Sequence, residues 1–159
     1  MIRKIALSAM IAALYAGLTI ALAPISFGPI QLRIAEALTL LPFFVPEAVL
    51  GLFIGCVLSN FIGGFGLIDV IFGSLATLLA ALMTRRMPTI WLAALPPVVL
   101  NAAIVGGYLA VLTKTPFLLS VLYIGASQSA VCLGLGVPLC KFLIRTKYFE
   151  IPALPKKIK

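Results

Sequence analysis

The sequence predicts an all-α, polytopic membrane protein: one domain of six transmembrane helices over residues 1–149, a short basic tail at 150–159, and both termini cytoplasmic. Three observations carry this. Of 159 residues, 63% are hydrophobic and 10% charged, where soluble chains are about a quarter charged, and the mean hydropathy is +1.23. The apolar residues fall into runs bounded by proline, glycine and basic breaks. The basic residues, finally, cluster at alternate ends of those runs, as orientation by the positive-inside rule requires.

A span needs about 20 mostly apolar residues at 1.5 Å of rise each. The runs are Ile5 to Ala23, Ile34 to Val45, Glu47 to Ile62, Asp69 to Thr84, Thr89 to Thr113 and Phe117 to Ile144. Breaks fall at Pro24 and Pro29, at Pro46, at Gly63-Gly64, at Arg85-Arg86-Met87-Pro88 and at Lys114-Thr115-Pro116. With the N-terminus inside, all 12 basic residues except Arg33 and Lys114 lie on the cytoplasmic side. The second run is short, about 18 Å as an α-helix. Merging it with the third gives about 43 Å of helix, broken by Pro42 and Pro46 and with Glu47 near its middle. Charge barely separates the two topologies; length and the buried acid favour six spans. No cleavable leader is expected, because Pro24-Ile25-Ser26-Phe27 is a poor small-residue cleavage site. The tail is proline-punctuated and basic, suited to an anionic lipid surface.

Composition also narrows the chemistry. There is no histidine, the four acids are Glu36, Glu47, Asp69 and Glu150, and Cys56, Cys132 and Cys140 lie in apolar runs without metal-ligand spacing. Histidine bases, Ser-His triads, zinc sites and disulfide scaffolds are therefore not expected, nor is an enzyme. No phosphate-cradling G-x-x-x-x-G-K-[ST] occurs, and Gly63-Gly64-Phe65-Gly66 reads as a flexible turn. Without a convincing internal inverted repeat, active transport by this chain would have to borrow its energy from a partner.

Two features offer function. In the first run Ala9, Ala13, Gly17 and Ala21 recur every four residues beside Ala12 and Ala16. Such a strip allows close backbone approach, either inside the molecule or by a partner, and Gly51-x-x-x-Gly55 is a second, weaker strip. The other feature is the small set of intramembrane polar groups: Arg33 and Glu36, Asn60 and Asp69, Asn101, and Gln128. A charge at the bilayer centre costs roughly 2.5–3.5 kcal/mol on insertion scales. The plain alternative is that Arg33 and Glu36 neutralise each other at i,i+3 while Asn101 and Gln128 bond across helices. Against it, Pro96-Pro97 frees the carbonyls of Leu92 and Ala93 shortly before Asn101, and broken helices in membranes line cavities or meet other helices. Tyr108 and Tyr123 could stack on a flat ligand or anchor at the interface, whereas Trp91 reads as interfacial belt. Two acids, amides and aromatic faces suit a small, flat, polar molecule that donates hydrogen bonds, such as one with a guanine-like edge.

The run Phe27-Gly28-Pro29-Ile30-Gln31-Leu32-Arg33-Ile34-Ala35-Glu36-Ala37-Leu38, followed by Leu41-Pro42, resembles the signature of the QueT family. The resemblance extends over residues 5 to 145, includes the turn from Asn60 to Asp69, and is most specific at Gln31-x-Arg33-x-x-Glu36. It implies a six-helix substrate-binding S component of an energy-coupling-factor (ECF) transporter. Such a component captures a queuosine precursor, a 7-deazaguanine base. It docks on a transmembrane coupling subunit driven by two cytoplasmic ATPases, so ATP is used by the partners and no cofactor is bound by this chain. The resemblance also implies docking through an A-x-x-x-A face of the first helix, matched by Ala9 and Ala13 with Ala12 and Ala16 as the neighbouring alternative, and a gate over Pro24 to Leu32. The expected ligand-binding residues are Glu36, Arg33, Gln31, Asn60, Asp69, Asn101, Tyr108 and Gln128; the expected docking residues are Ala9, Ala13, Ala12, Ala16 and Gly17. The rival readings are a stand-alone facilitator and a small membrane-embedded enzyme subunit using Glu36 and Asp69.

Overall fold

Apolar runs separated by proline, glycine and charged breaks fold as helices joined by short turns. The computed structural model describes residues 2–28 and 30–146; the expected tail at 150–159 and the break at Pro29 lie outside the described residues. In chain order come α1 (Ile2–Ala21), the single turn α2 (Ala23–Ser26), a 3-10 helix (Ile34–Phe43), α3 (Ala48–Gly63), α4 (Asp69–Thr84), α5 (Ile90–Thr113) and α6 (Phe117–Arg145). No strand occurs among the described residues. By length and composition α1, α5 and α6 are long and apolar enough to cross a membrane, while the 3-10 helix, α3 and α4 are shorter apolar helices. Ile2, Phe61, Leu67 and Val111 stay more than 70% exposed, and many other large apolar side chains are exposed to a lesser degree. An aqueous protein does not present that surface, but a bilayer accepts it.

The short second run departs from the expected α-helix by winding as 3-10 from Ile34 to Phe43. At about 2.0 Å of rise per residue, ten residues reach about 20 Å, against about 15 Å as α-helix. The looser reach suits a segment shortened by the turn before it and by Pro42 near its end. Among the described residues this segment is also the most continuously buried, with Ala35, Glu36, Ala37, Leu38, Thr39, Leu40, Leu41 and Pro42 all inside.

Successive helices run in opposite directions, and cross-contacts fix their ends. Lys4 pairs with Glu47 at 3.3 Å and the Lys141 ammonium lies 4.6 Å from the Trp91 ring centroid, so the starts of α1, α3 and α5 share an end with the C-terminal part of α6. The other end gathers the turns after α1, α3 and α5.

The two small-residue strips are resolved by the packing of α1 on α3. A Cβ at Gly51 would lie 2.6 Å from the Ser8 carbonyl oxygen, and one at Gly55 2.8 Å from that of Ala12. These glycines let two backbones meet where apolar packing alone gives little attraction in lipid. Ser8 adds a hydrogen bond from Oγ to the Glu47 carbonyl oxygen at 2.8 Å. Ala12 lies against Gly55, and both Ala12 and Ala16 are buried. Ala9, Ala13, Gly17 and Ala21 face outward.

Proline and π-turns break the long helices. Pro96 and Pro97 open α5 at Ala94, and the carbonyl freed at Ala93 accepts from Thr84 Oγ1 at 2.9 Å. Wide π-turns cover Asp69–Gly73, Asn101–Val105 and Cys132–Gly136. Each inserts a residue into the helical ladder and re-aims the side chains around it.

Candidate ligand site

Among the described residues three buried charges lie inside this apolar bundle: Arg33, Glu36 and Asp69, at 4%, 1% and 0% exposure. Arg33 sits just before the 3-10 helix in extended backbone (φ −88°, ψ 99°), so its side chain leaves in a different direction from that of Glu36. It reaches Asp69 instead, with Nη2 3.2 Å from Oδ2. The i,i+3 neutralisation of Arg33 by Glu36 is thus replaced by a pairing across 36 residues of sequence.

Asp69 is held from several sides. Tyr108 donates its hydroxyl to Oδ1, and the Phe65 amide donates to Oδ2 at 3.3 Å. Asn60 Nδ2 donates to the Asp69 carbonyl oxygen at 3.0 Å. Arg33 in turn donates from Nε to the Ser26 carbonyl oxygen at 3.3 Å and lies 5.0 Å from the centroid of the Phe27 ring. One ion pair therefore ties the segment after α1, the turn between α3 and α4, and the second half of α5 together.

Glu36 has a different environment. Its Oε1 accepts from the Tyr15 hydroxyl at 2.5 Å and its Oε2 from Asn101 Nδ2 at 3.4 Å. Both donors are neutral, and an ionised carboxylate has about four acceptor positions, so two remain. The 3-10 helix delivers Glu36, α1 delivers Tyr15, and the π-turn of α5 delivers Asn101. Around them, Cys132 Sγ lies 3.7 Å from the Glu36 carbonyl oxygen and 3.8 Å from Gln128 Oε1, two acceptors that share its single S–H. The alternative of a bond between Asn101 and Gln128 is not the one formed: Asn101 turns to the carboxylate, and Gln128 meets a thiol one turn along its own helix.

Gln31 is 2% exposed, adopts a left-handed backbone (φ 46°) and has an unpartnered Nε2. A non-glycine residue held there implies a surrounding structure that over-determines it, a pattern concentrated at ligand clamps and switches. Its carbonyl oxygen accepts from Ser127 of α6 at 3.5 Å. Asn60 Oδ1 is likewise buried without a hydrogen-bond partner in the protein. Tyr123 is exposed. The surface groove of about 490 Å³ lined by Pro138, Lys141, Phe142, Ile144 and Arg145 is near the far end of α6 and includes none of these residues.

Sequence reasoning missed Tyr15 and the Cys56–Thr77 pair, whose Oγ1–Sγ distance is 3.3 Å. Tyr15 had a signal: it shares an inward stripe with Ser8, Ile11, Ala12, Ala16 and Thr19, and a phenol inside a span needs an acceptor. Nothing in the local sequence marks Cys56.

A helical bundle with an apolar exterior and a buried set of carboxylates, guanidinium, amides and phenols is built as a membrane protein that handles a polar solute. The chain belongs to the QueT transporter family, whose model matches residues 5–145. It is also 46% identical over 72 residues to the "Queuosine precursor transporter QueT" of Lactococcus lactis subsp. cremoris (strain MG1363); that alignment covers 44% of this chain and 42% of the relative. No solved structure matches it.

Proposed function

We propose that this chain is the substrate-binding S component of an ECF transporter in a prokaryotic cell membrane. It crosses the bilayer six times with both termini cytoplasmic. It takes a queuosine precursor, a 7-deazaguanine base, from outside and delivers it inward when docked on a coupling subunit driven by two ATPases. The family and the name of the Lactococcus relative support the solute class. The observation that carries the binding chemistry is Glu36: a fully buried carboxylate with neutral partners only and free acceptor positions. A 7-deazaguanine presents two adjacent N–H donors that a planar carboxylate accepts together. Asn101, Gln128, Gln31 and Asn60 supply amides around it. Arg33, Asp69 and Tyr108 hold the outer turns closed over the bound base.

The outward strip of Ala9, Ala13 and Gly17 supports docking, because small side chains let a partner helix approach the backbone. The chain uses no cofactor of its own, and ATP acts at the partner subunits. Isothermal titration of the purified protein with a 7-deazaguanine base, wild type against Glu36→Gln, tests the binding assignment. Near-wild-type affinity in the variant would sink it. Uptake into liposomes with and without the ATPase module separates this reading from a stand-alone facilitator, which would give downhill flux alone.

A further inference from the structure

Charge is unevenly divided between the two ends of the bundle. Among the described residues, Arg3, Lys4, Arg85, Arg86, Lys141 and Arg145 stand at the end where α1, α3 and α5 begin and α4 and α6 finish. The described acid at that end is Glu47, and Lys4 already pairs with it at 3.3 Å. The other described ion pair joins Arg33 to Asp69. Lys141 and Arg145 thus have no carboxylate partner among the described residues.

The C-terminal part of α6 gives these two cations a shape. They are four residues apart, so they share a face one turn from each other, where like charges repel unless an anion lies between them. Together with Pro138, Phe142 and Ile144 they line the groove of about 490 Å³. Val137 and Cys140 turn inward, while Phe142 stays 63% exposed. Lys141 is held in place by Trp91, with its ammonium 4.6 Å from the ring centroid. An aromatic face attracts a cation without neutralising it, and an ammonium has three donors, so Lys141 keeps both charge and donors for a further partner. Tryptophan at a helix end also marks the membrane–water boundary, the level of lipid headgroups.

An occupant of this groove must bring an anion to Lys141 and Arg145 and hydrocarbon to Pro138, Phe142 and Ile144. A phospholipid of net negative charge brings both in one molecule. Inorganic phosphate meets the cations alone, and a zwitterionic lipid carries a cation of its own towards them. The chain beyond Thr146 has Lys147, Lys156, Lys157 and Lys159 against Glu150, and like charge disfavours it as the occupant.

We propose that this groove binds one anionic phospholipid, its phosphate between Lys141 and Arg145 and its glycerol and acyl chains along Pro138, Phe142 and Ile144. The site lies apart from the buried carboxylates and is independent of the solute that the protein carries.

The test is thermal unfolding of the full-length protein in a neutral detergent, titrated with phosphatidylglycerol, with phosphatidylcholine of the same acyl chains, and with inorganic phosphate. Phosphatidylglycerol alone should raise the midpoint. Lys141→Gln with Arg145→Gln should weaken its apparent affinity at least about tenfold, whereas Arg85→Gln with Arg86→Gln, which removes equal charge outside the groove, should leave it within about twofold. Any effect of Arg145 on the helix dipole shifts the midpoint without lipid and leaves the lipid response unchanged. Equal loss in both double variants means general attraction to a basic surface and overturns the proposal. So does an equal response to phosphatidylcholine or to inorganic phosphate, or no response to phosphatidylglycerol, the result expected if the tail or a protein fills the groove. Should the groove variant fail to fold, native mass spectrometry of wild type and of Arg85→Gln with Arg86→Gln, released from nanodiscs of equal phosphatidylglycerol and phosphatidylcholine, decides. A retained phosphatidylglycerol in both upholds the site; equal retention of the two lipids, or loss in the variant, overturns it.

Discussion

Asp69 and Glu36 are both fully buried carboxylates, yet their hydrogen-bond partners differ in charge and number. Asp69 has a guanidinium, a phenol and a backbone amide on its two oxygens, and these donors come from three separate parts of the chain. Glu36 has one neutral donor per oxygen. A carboxylate saturated by the protein is a structural tie. The one whose donors are all neutral is the carboxylate proposed above to take the ligand. Residue type and burial do not separate the two; the charge and number of donors do.

The largest effect should come from breaking the tie. Asp69→Ala or Arg33→Ala alone strands a buried charge and should cost about 3–5 kcal/mol of stability, visible as a large fall in the unfolding midpoint in detergent. Arg33→Met with Asp69→Leu removes both charges and should recover most of that loss. A double variant as unstable as either single one would show that the pair is not the source.

Glu36→Gln sharpens the contrast, because it should leave the fold largely intact and weaken binding of a 7-deazaguanine base by about 1.5–3 kcal/mol, the range for a hydrogen bond to a charged group. Titration calorimetry reads the affinity, and the unfolding midpoint reads the fold. A fall in stability as large as that of Asp69→Ala would mean that Glu36 is also a tie. Tyr15→Phe removes one donor from Glu36 and keeps the ring in place. It should change affinity by about 0.5–1.5 kcal/mol, with the midpoint nearly unmoved.

The smallest effect on the site should come from the opposite face of the same helix. Ala13→Leu adds bulk to an exposed position, so ligand affinity and stability should stay at wild-type values while ATP-driven uptake is lost. Co-purification of the ATPase subunits with the variant checks this. Undiminished recovery would move the docking surface elsewhere. Ala12→Leu, at a buried position against α3, should instead lower stability, which distinguishes the two faces of α1.

Much of this molecule was legible in the chain. The apolar runs and their breaks located every long helix to within a few residues, because proline, paired glycine and charge interrupt helices in lipid through local chemistry that needs no partner. The 4% and 0% exposure of Arg33 and Asp69 agrees with the scarcity argument that singled them out: a charge retained among so many apolar residues has a reason to be there. Local sequence could not decide who pairs with whom. Arg33 and Glu36 stand at helical spacing, but extended backbone at Arg33 sends the guanidinium to Asp69. Asn101 and Gln128 stand at similar depth, but the π-turn at Asn101 directs its amide to Glu36.

The two faces of α1 mark the same boundary. Four-residue spacing put Ala9 and Ala13 on one strip and Ala12 and Ala16 on its neighbour, and either strip satisfied the requirement for close approach. Only the position of Gly51 and Gly55 on α3 chose which strip is buried. The composition and periodicity of this sequence determined that it forms apolar helices with a few polar groups inside, since transfer energies and backbone preferences are local. Tertiary structure decided which donors reach which carboxylate, and so which of two identical charges is tied and which is left open, because hydrogen-bond geometry and Coulomb energy depend on distances that the order of residues does not contain.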